Sequence, residues 1–193
     1  LPPPSGQASV IWALASGGAW NEVTENWTDG DPSPNQFKAG DNVTFNNSAG
    51  GTISIDAGGV DAANIQVSAA DGTYTFTGGS INGSGQLTKS GEGILILESA
   101  NGYTGGTNVE GGELRFSHDN QLGQDGSLLT INGGQVTTLD SIASSRMISV
   151  GSNHATLDTN GFNSSFGNLS GTGDFTKQGA GDLSVSGWNL AGA

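Results

Sequence analysis

Apolar and polar residues alternate along this chain in short bursts, as at 52–56 (TISID), 74–77 (YTFT) and 129–139 (LTINGGQVTTL). Clusters of Gly, Asn, Asp and Ser separate the bursts. Neighbouring side chains on a strand point to opposite sides, so period-two alternation bounded by turn formers predicts half-buried strands. No stretch of helical length carries apolar residues at i, i+3, i+4 and i+7. Strands are predicted at 42–46, 52–56, 64–68, 74–77, 86–89, 94–97, 107–110, 113–116, 128–132, 135–139, 148–150, 155–158, 174–177 and 183–186.

Strands every eight to twelve residues fit a sandwich, a barrel or a solenoid alike. The connections favour the last. Antiparallel hairpins use two-residue turns between long alternating strands. Here the strands are short, and corners fall on paired glycines (Gly58-Gly59, Gly78-Gly79, Gly105-Gly106, Gly111-Gly112, Gly133-Gly134). The expected fold is all-β, a right-handed parallel β-helix with an N-terminal cap; a sandwich stays open as the alternative. Residues 1–39 read as a leader (1–6, LPPPSG) and a Trp-rich cap, and 40–193 as six or seven coils of ~20–25 residues. Leu87, Leu95, Leu97, Val109 and Leu114 are the expected interior stack.

A repeat stands out. The stretch 82–97 (NGSGQLTKSGEGILIL) matches 170–185 (SGTGDFTKQGAGDLSV), with Thr88/Thr176, Lys89/Lys177, Gly91/Gly179 and Gly93/Gly181 identical. The first copy, 81–116, continues through 101–114 (NGYTGGTNVEGGEL). The second, 169–193, stops short of that half, which suggests a fragment of a longer protein.

Composition sharpens the picture. The chain holds 34 glycines, and only 12% of its residues are charged. Glycine is far above its usual ~7% but without the three-residue period of collagen. The net charge of −13, from 18 acids and 5 bases, repels nucleic acid and anionic membrane. The absence of cysteine favours a cytosolic or bacterial origin. No apolar run reaches the ~18 residues of a membrane span.

The 85–116 block resembles the passenger-associated transport repeat of bacterial autotransporters, the type V secreted proteins. The likeness rests on Gly85, Leu87, Thr88, Lys89, Gly91, Gly93, Leu95 and Leu97, then Asn101, Tyr103, Thr104, Gly105, Gly106, Thr107 and Val109, then Gly111, Gly112 and Leu114. Trp20, Asn26-Trp27, Gly40-Asp41 and 43–45 (VTF) resemble the opening segment of the same passengers. The resemblance implies a right-handed parallel β-helix, export, and display on the bacterial surface through an outer-membrane barrel outside this chain. It also implies a repeat that aids secretion and folding, and roles in adhesion, self-association, biofilm and virulence.

Candidate chemistry is sparse. His118 and His154 sit in turn-like contexts without a G-x-S-x-G elbow, and adjacency of His118 to Asp119 does not orient an imidazole. Glycosidases need two carboxylates across the scissile bond. Glu110/Glu113 and Asp29/Asp31 offer pairs, but the bases Lys38, Lys89, Arg115, Arg146 and Lys177 are scattered, with Lys89 and Lys177 at a repeat position that reads as structural. The stretch 29–35 lacks the glycine and glutamate of an EF-hand, having Pro34 and Gly40 instead. Gly171–Asp174 and Gly179–Asp182 lack the nine-residue calcium-roll period. Trp12, Trp20 and Trp27 read as a plug over the solenoid end rather than a sugar platform. The 73–77 T-x-T ladder is too isolated for ice binding. Asn26, Asn42, Asn46, Asn82, Asn163 and Asn168 begin N-x-S/T but read as turn asparagines.

The expectation is therefore a non-enzymatic passenger fragment without cofactor or metal, an adhesin or self-association stalk. Its partner would be a host-surface or matrix ligand or its own copy on a neighbouring cell. A secretion-promoting spacer is the runner-up, and a carbohydrate-active enzyme the third reading. No ligand-binding residue is identifiable from sequence.

Overall fold

The computed structural model describes residues 8–31 and 35–191. The leader 1–6 and the prolines of the 29–35 stretch lie outside the described residues. The chain winds as a parallel β-solenoid of about 7 turns.

The coils succeed one another in chain order. The first holds β1 (Ser9–Trp12), β2 (Gly18–Trp20) and β3 (Trp27–Thr28). The second holds β4 (Asn42–Phe45), β5 (Gly51–Ile55) and β6 (Val60–Asp61), and the third β7 (Ile65–Val67), β8 (Thr73–Gly78) and β9 (Ile81–Asn82). Next come β10 (Leu87–Lys89) and β11 (Ile94–Leu97), then β12 (Thr107–Val109) and β13 (Glu113–Phe116), followed by a 3₁₀ turn at Asp119–Leu122. The sixth has β14 (Leu129–Ile131), β15 (Gln135–Thr138) and β16 (Ile142–Ala143). The last windings use β17 (Ile148–Val150), β18 (Ala155–Asp158), β19 (Ser164–Gly171), β20 (Phe175–Gln178) and β21 (Leu183–Leu190).

Strands one coil apart pair in parallel and build two long faces. The first face runs β1-β4-β7-β10-β12-β14-β17-β19, with the end of β21 added; the second runs β2-β5-β8-β11-β13-β15-β18-β20. A sandwich would need antiparallel neighbours, and the only antiparallel strand pair among the described residues is β1 with β3.

Register explains the alternation. Val10, Val43, Ile65, Leu87, Thr107, Leu129, Ile148 and Leu169 occupy one inward column of the first face, and Trp188, at the same register in the last lap, is exposed. Every lap from Val10 to Leu169 except that of Thr107 repeats the apolar position, so stacking removes a nearly continuous apolar surface from water. Tyr74, Leu95, Leu114, Val136 and Leu157 form the matching column of the second face. All five expected stack residues, Leu87, Leu95, Leu97, Val109 and Leu114, are buried.

The coil boundary differs from the expected one. Coiling starts at Ser9 rather than at residue 40, because β1 pairs in parallel with β4 and β2 with β5. Trp12, Trp20 and Trp27 lie inside this first coil at 2%, 0% and 0% exposure, packed with Phe37 and Phe45. Of the segment 8–39, β3 serves as the edge cover: it lies antiparallel on the free side of β1 and bonds on to Asn35. That pairing blunts an edge that would otherwise template another chain.

The second copy of the repeat is out of phase with the first. Leu87 lies on the first face, but its counterpart Phe175 lies on the second. Laps here step by 19 to 22 residues, and four of them carry Leu87 to Leu169, short of Phe175. The repeated sequence therefore encodes a strand and its corner, not a fixed side of the rod.

Candidate functional site: the repeat joint and the outer faces

Lys89 occupies an inward position, between Val67 and Val109 in its column, and is 1% exposed. A buried ammonium must find acceptors. Its Nζ donates to the carbonyls of Ser90 (2.7 Å), Gly91 (2.8 Å) and Gly111 (3.1 Å). Gly91 has φ 68°, a conformation that favours glycine and lets the corner fold back under the ammonium. Burial lowers the Lys89 pKa to about 8, against the opposing pull of Glu92. The second copy repeats the device: Lys177 donates to Gly179, φ 77°, at 2.6 Å. The shared Thr-Lys-x-Gly thus makes a lysine-closed corner on whichever face it falls.

The other half of the repeat ties laps together. Asn101 Oδ1 accepts from the Ile81 amide at 2.9 Å, and its Nδ2 donates to the Gln121 carbonyl at 2.8 Å, so one amide spans three laps. The Tyr103 hydroxyl meets Thr107 Oγ1 at 2.8 Å, and Thr107 donates to the Leu122 carbonyl. Burial raises the Tyr103 pKa above its ordinary value, with Thr107 and Arg146 opposing. Gly85 permits the next contact: a Cβ there would lie 1.1 Å from the Ala63 carbonyl oxygen of the lap below.

A second buried cation fixes the long loop after β13. Arg146, 0% exposed, donates from Nε to Asp119 Oδ1 at 2.9 Å and from Nη1 to the Ser127 carbonyl at 2.6 Å. Gln121 Oε1 accepts from the amides of Ser117 and His118. In the sequence Arg146 is only one of five scattered bases. Its partner Asp119 is far along the chain, and nothing local pairs them.

The structure also places the candidate catalytic groups. Ser117 Oγ lies 2.9 Å from His118 Nδ1, but the Asp119 carboxylate is held by Arg146 and Ser144. It does not orient the imidazole. Glu110 accepts from Asn108 at 2.7 Å. Burial works to raise the Glu113 pKa, but Arg115, Thr137 and Gln135 together hold it below the ordinary carboxylate range. Asp29 accepts from the Asp31 amide and from Asn35. His154 borders a shallow opening with Asp174, Phe175 and Leu190. Among the described residues no group of three or more His, Asp or Glu could hold a metal ion. Lys38 reaches Gln36 Oε1 at 3.0 Å. Of the N-x-S/T asparagines, Asn42 accepts from Asn64 and Asn163 from the Asp182 amide, each bonding to a neighbouring lap.

Side chains on the outside of the two faces differ. On the first face one outward column runs Ile11, Thr44, Gln66, Thr88, Asn108, Thr130, Ser149, Ser170, Asn189. The column beside it runs Ser9, Asn42, Asn64, Gln86, Gly106, Leu128, Met147, Asn168, Gly187. Neither column contains a charge. The second face presents Glu113, Arg115 and Asp158 among Thr75, Ile94, Ile96, Gln135, Thr137 and Thr156.

The Passenger-associated-transport-repeat family matches residues 87–116, the segment that builds the lysine corner and the Tyr103–Thr107 contact. Over 138 residues, 66% of this chain, the sequence is 36% identical to the Adhesin BmaC autotransporter of Brucella suis biovar 1 (strain 1330). Both matches support an autotransporter passenger with passenger-associated transport repeats. The chain spans 4% of the length of that relative. No solved structure matches it. Similarity to an autotransporter passenger implies secretion and display at the bacterial surface. Among the described residues of the passenger no helix is long and apolar enough to cross a membrane.

Proposed function

We propose that this passenger segment is part of an adhesive, non-enzymatic stalk. It would hold a host-surface or matrix ligand, or a copy on a neighbouring cell. The observation that supports this reading is its 36% identity to a passenger named as an adhesin. The site geometry agrees with it: the repeat's polar groups are used inside the rod, which leaves recognition to its long outer faces. Tethering would come from an outer-membrane barrel encoded elsewhere in the full protein. The experiment is display of the full passenger on cells that do not adhere. Clumping or retention on matrix supports the reading; cells that do neither sink it.

A second reading, a spacer that promotes secretion and folding, draws on one specific observation. Lys89, Tyr103 and Thr107, all signature positions of the repeat, point inward and join laps. A solenoid grows by adding laps to a folded one, so a strongly tied joint would favour progressive folding during export. Deleting residues 81–116 should then cut surface yield, while cells that still display the shortened passenger keep their adhesion per molecule.

A further inference from the structure

Asparagine is followed by glycine at four places: Asn82-Gly83, Asn101-Gly102, Asn132-Gly133 and Asn160-Gly161. Glycine has no side chain to shield its amide nitrogen, so that nitrogen can reach the carboxamide carbon of the asparagine before it. The fold treats the four pairs differently. Asn101 is bonded at both ends of its carboxamide, and Gly102 donates its own N–H to the Ile81 carbonyl at 2.8 Å. Asn132 Oδ1 accepts from the Asn153 amide at 3.1 Å and packs against Gly151 of the next lap. Asn82 Nδ2 donates to Ser80 Oγ at 3.0 Å, and its Oδ1 packs against Gly102.

Asn160 has none of these restraints. It is exposed, and among the described residues its carboxamide makes no hydrogen bond. Its backbone N–H donates to Asp158 Oδ1 at 2.7 Å, which pins the main chain and leaves the side chain free. Among the described residues it is the one non-glycine with positive φ, at 47°. Asparagine tolerates that left-handed conformation better than most residues. Gly161 beside it is exposed, with φ 88° and open space around its Cα, and among the described residues its N–H has no acceptor.

We propose that Asn160-Gly161 is a self-modification site, where the chain loses ammonia without an enzyme and a neutral corner becomes acidic. The Gly161 nitrogen gives its proton to hydroxide and bonds to Asn160 Cγ. The Cγ–Nδ2 bond then breaks, and Nδ2 leaves as ammonia after taking a proton from water. Water opens the resulting cyclic imide at either carbonyl. Breaking the bond to Cγ yields aspartate; breaking the bond to the main-chain carbon yields an isoaspartyl link, which lengthens the backbone by a methylene. The inference is independent of the adhesive-stalk reading.

The corner that changes is tied to the next lap. Thr159, 0% exposed, has its Oγ1 3.1 Å from the carbonyls of Gln178 and of Gly181, and its own carbonyl accepts from the Phe162 amide at 2.8 Å. A Cβ at Gly179 would lie 2.6 Å from the Asn160 nitrogen, so the corner rests on the bend that Lys177 closes. A new carboxylate would stand beside Asp158, and a longer backbone would draw Thr159 off its acceptors. Both products loosen this joint.

Ageing the purified 193-residue chain at mildly alkaline pH, with peptide mass mapping and isoaspartate detection, tests this. In the folded chain Asn160 should convert about tenfold faster or more than Asn82, Asn101 or Asn132, which must first open locally. In guanidinium the four rates should converge. Equal rates in the folded chain, or conversion of Asn160 only in guanidinium, overturns the proposal. So does a lead for Asn160 that persists undiminished in guanidinium, since its cause would then be local sequence rather than the fold. Asn160→Gly keeps the left-handed corner and has no carboxamide to lose; circular dichroism confirms its β-fold. Amide exchange over 158–163 should quicken with age in the wild type and stay constant in Asn160→Gly. Equal quickening in both would overturn the loosening ascribed to this joint.

Discussion

Lys89 donates from Nζ to the carbonyl of Gly111, one lap further along the chain, at 3.1 Å from inside the apolar column. A charge placed there fixes which laps lie together, because only the correct stacking supplies all three acceptors. Buried polar groups of this kind can select one register over its neighbours.

Lys89→Met keeps the length of the side chain and removes the donor. The carbonyls of Ser90, Gly91 and Gly111 then lose their buried partner, and an expected loss of about 1–3 kcal/mol follows. Urea unfolding at pH 7 measures it; an unchanged midpoint would show that the lysine contributes nothing to the joint.

The same residue gives stability a pH dependence. Its folded pKa is about 8, against an ordinary 10.5. Between these values the unfolded chain binds the proton and the folded chain does not, so stability rises as pH increases through that window. The wild type should gain on Lys89→Met from pH 7.5 to 10, by roughly 2–3 kcal/mol at most. A gap that narrows on going alkaline would contradict the assignment.

Arg146→Met strands the Asp119 carboxylate beside Ser144 and leaves the Ser127 carbonyl without its donor. Removing one partner of such a buried pair costs about 3 kcal/mol. Amide exchange should show the 117–127 loop opening first, with the core strands still protected. Uniform loss across the rod would argue against a local clamp.

Gly85→Ala forces a methyl into the backbone of the lap below, 1.1 Å from the Ala63 oxygen. Loss of about 3 kcal/mol or more is expected, the upper end of overpacking. Gly58→Ala meets only the Asp56 carboxylate at 3.2 Å and should stay within about 1 kcal/mol. Thermal melts of the two variants side by side decide it.

Tyr103→Phe removes the hydroxyl that meets Thr107 and should cost about 1 kcal/mol. Paired with Thr107→Val in a double-mutant cycle, it should show coupling between the two positions. Strict additivity would mean the contact is incidental.

Most strands and the parallel solenoid are legible in the sequence. Alternation with glycine corners is local, and stacking identical laps is the arrangement that buries every inward apolar position. It determined the kinship too, through the run from Gly85 to Leu114. It missed β1 and β2, which belong to the first coil, the eight-residue β19, and short strands such as β6 and β16, where two residues carry no period. The folded coils alone show that Lys89 points inward, that Arg146 meets Asp119, that the second repeat copy falls on another face, and that Thr44, Gln66, Thr88 and Asn108 line up in one outward column. Each of these depends on which residue of one lap lies over which residue of the next. That register follows from the exact length of every corner, summed around the coil, and no single segment contains it.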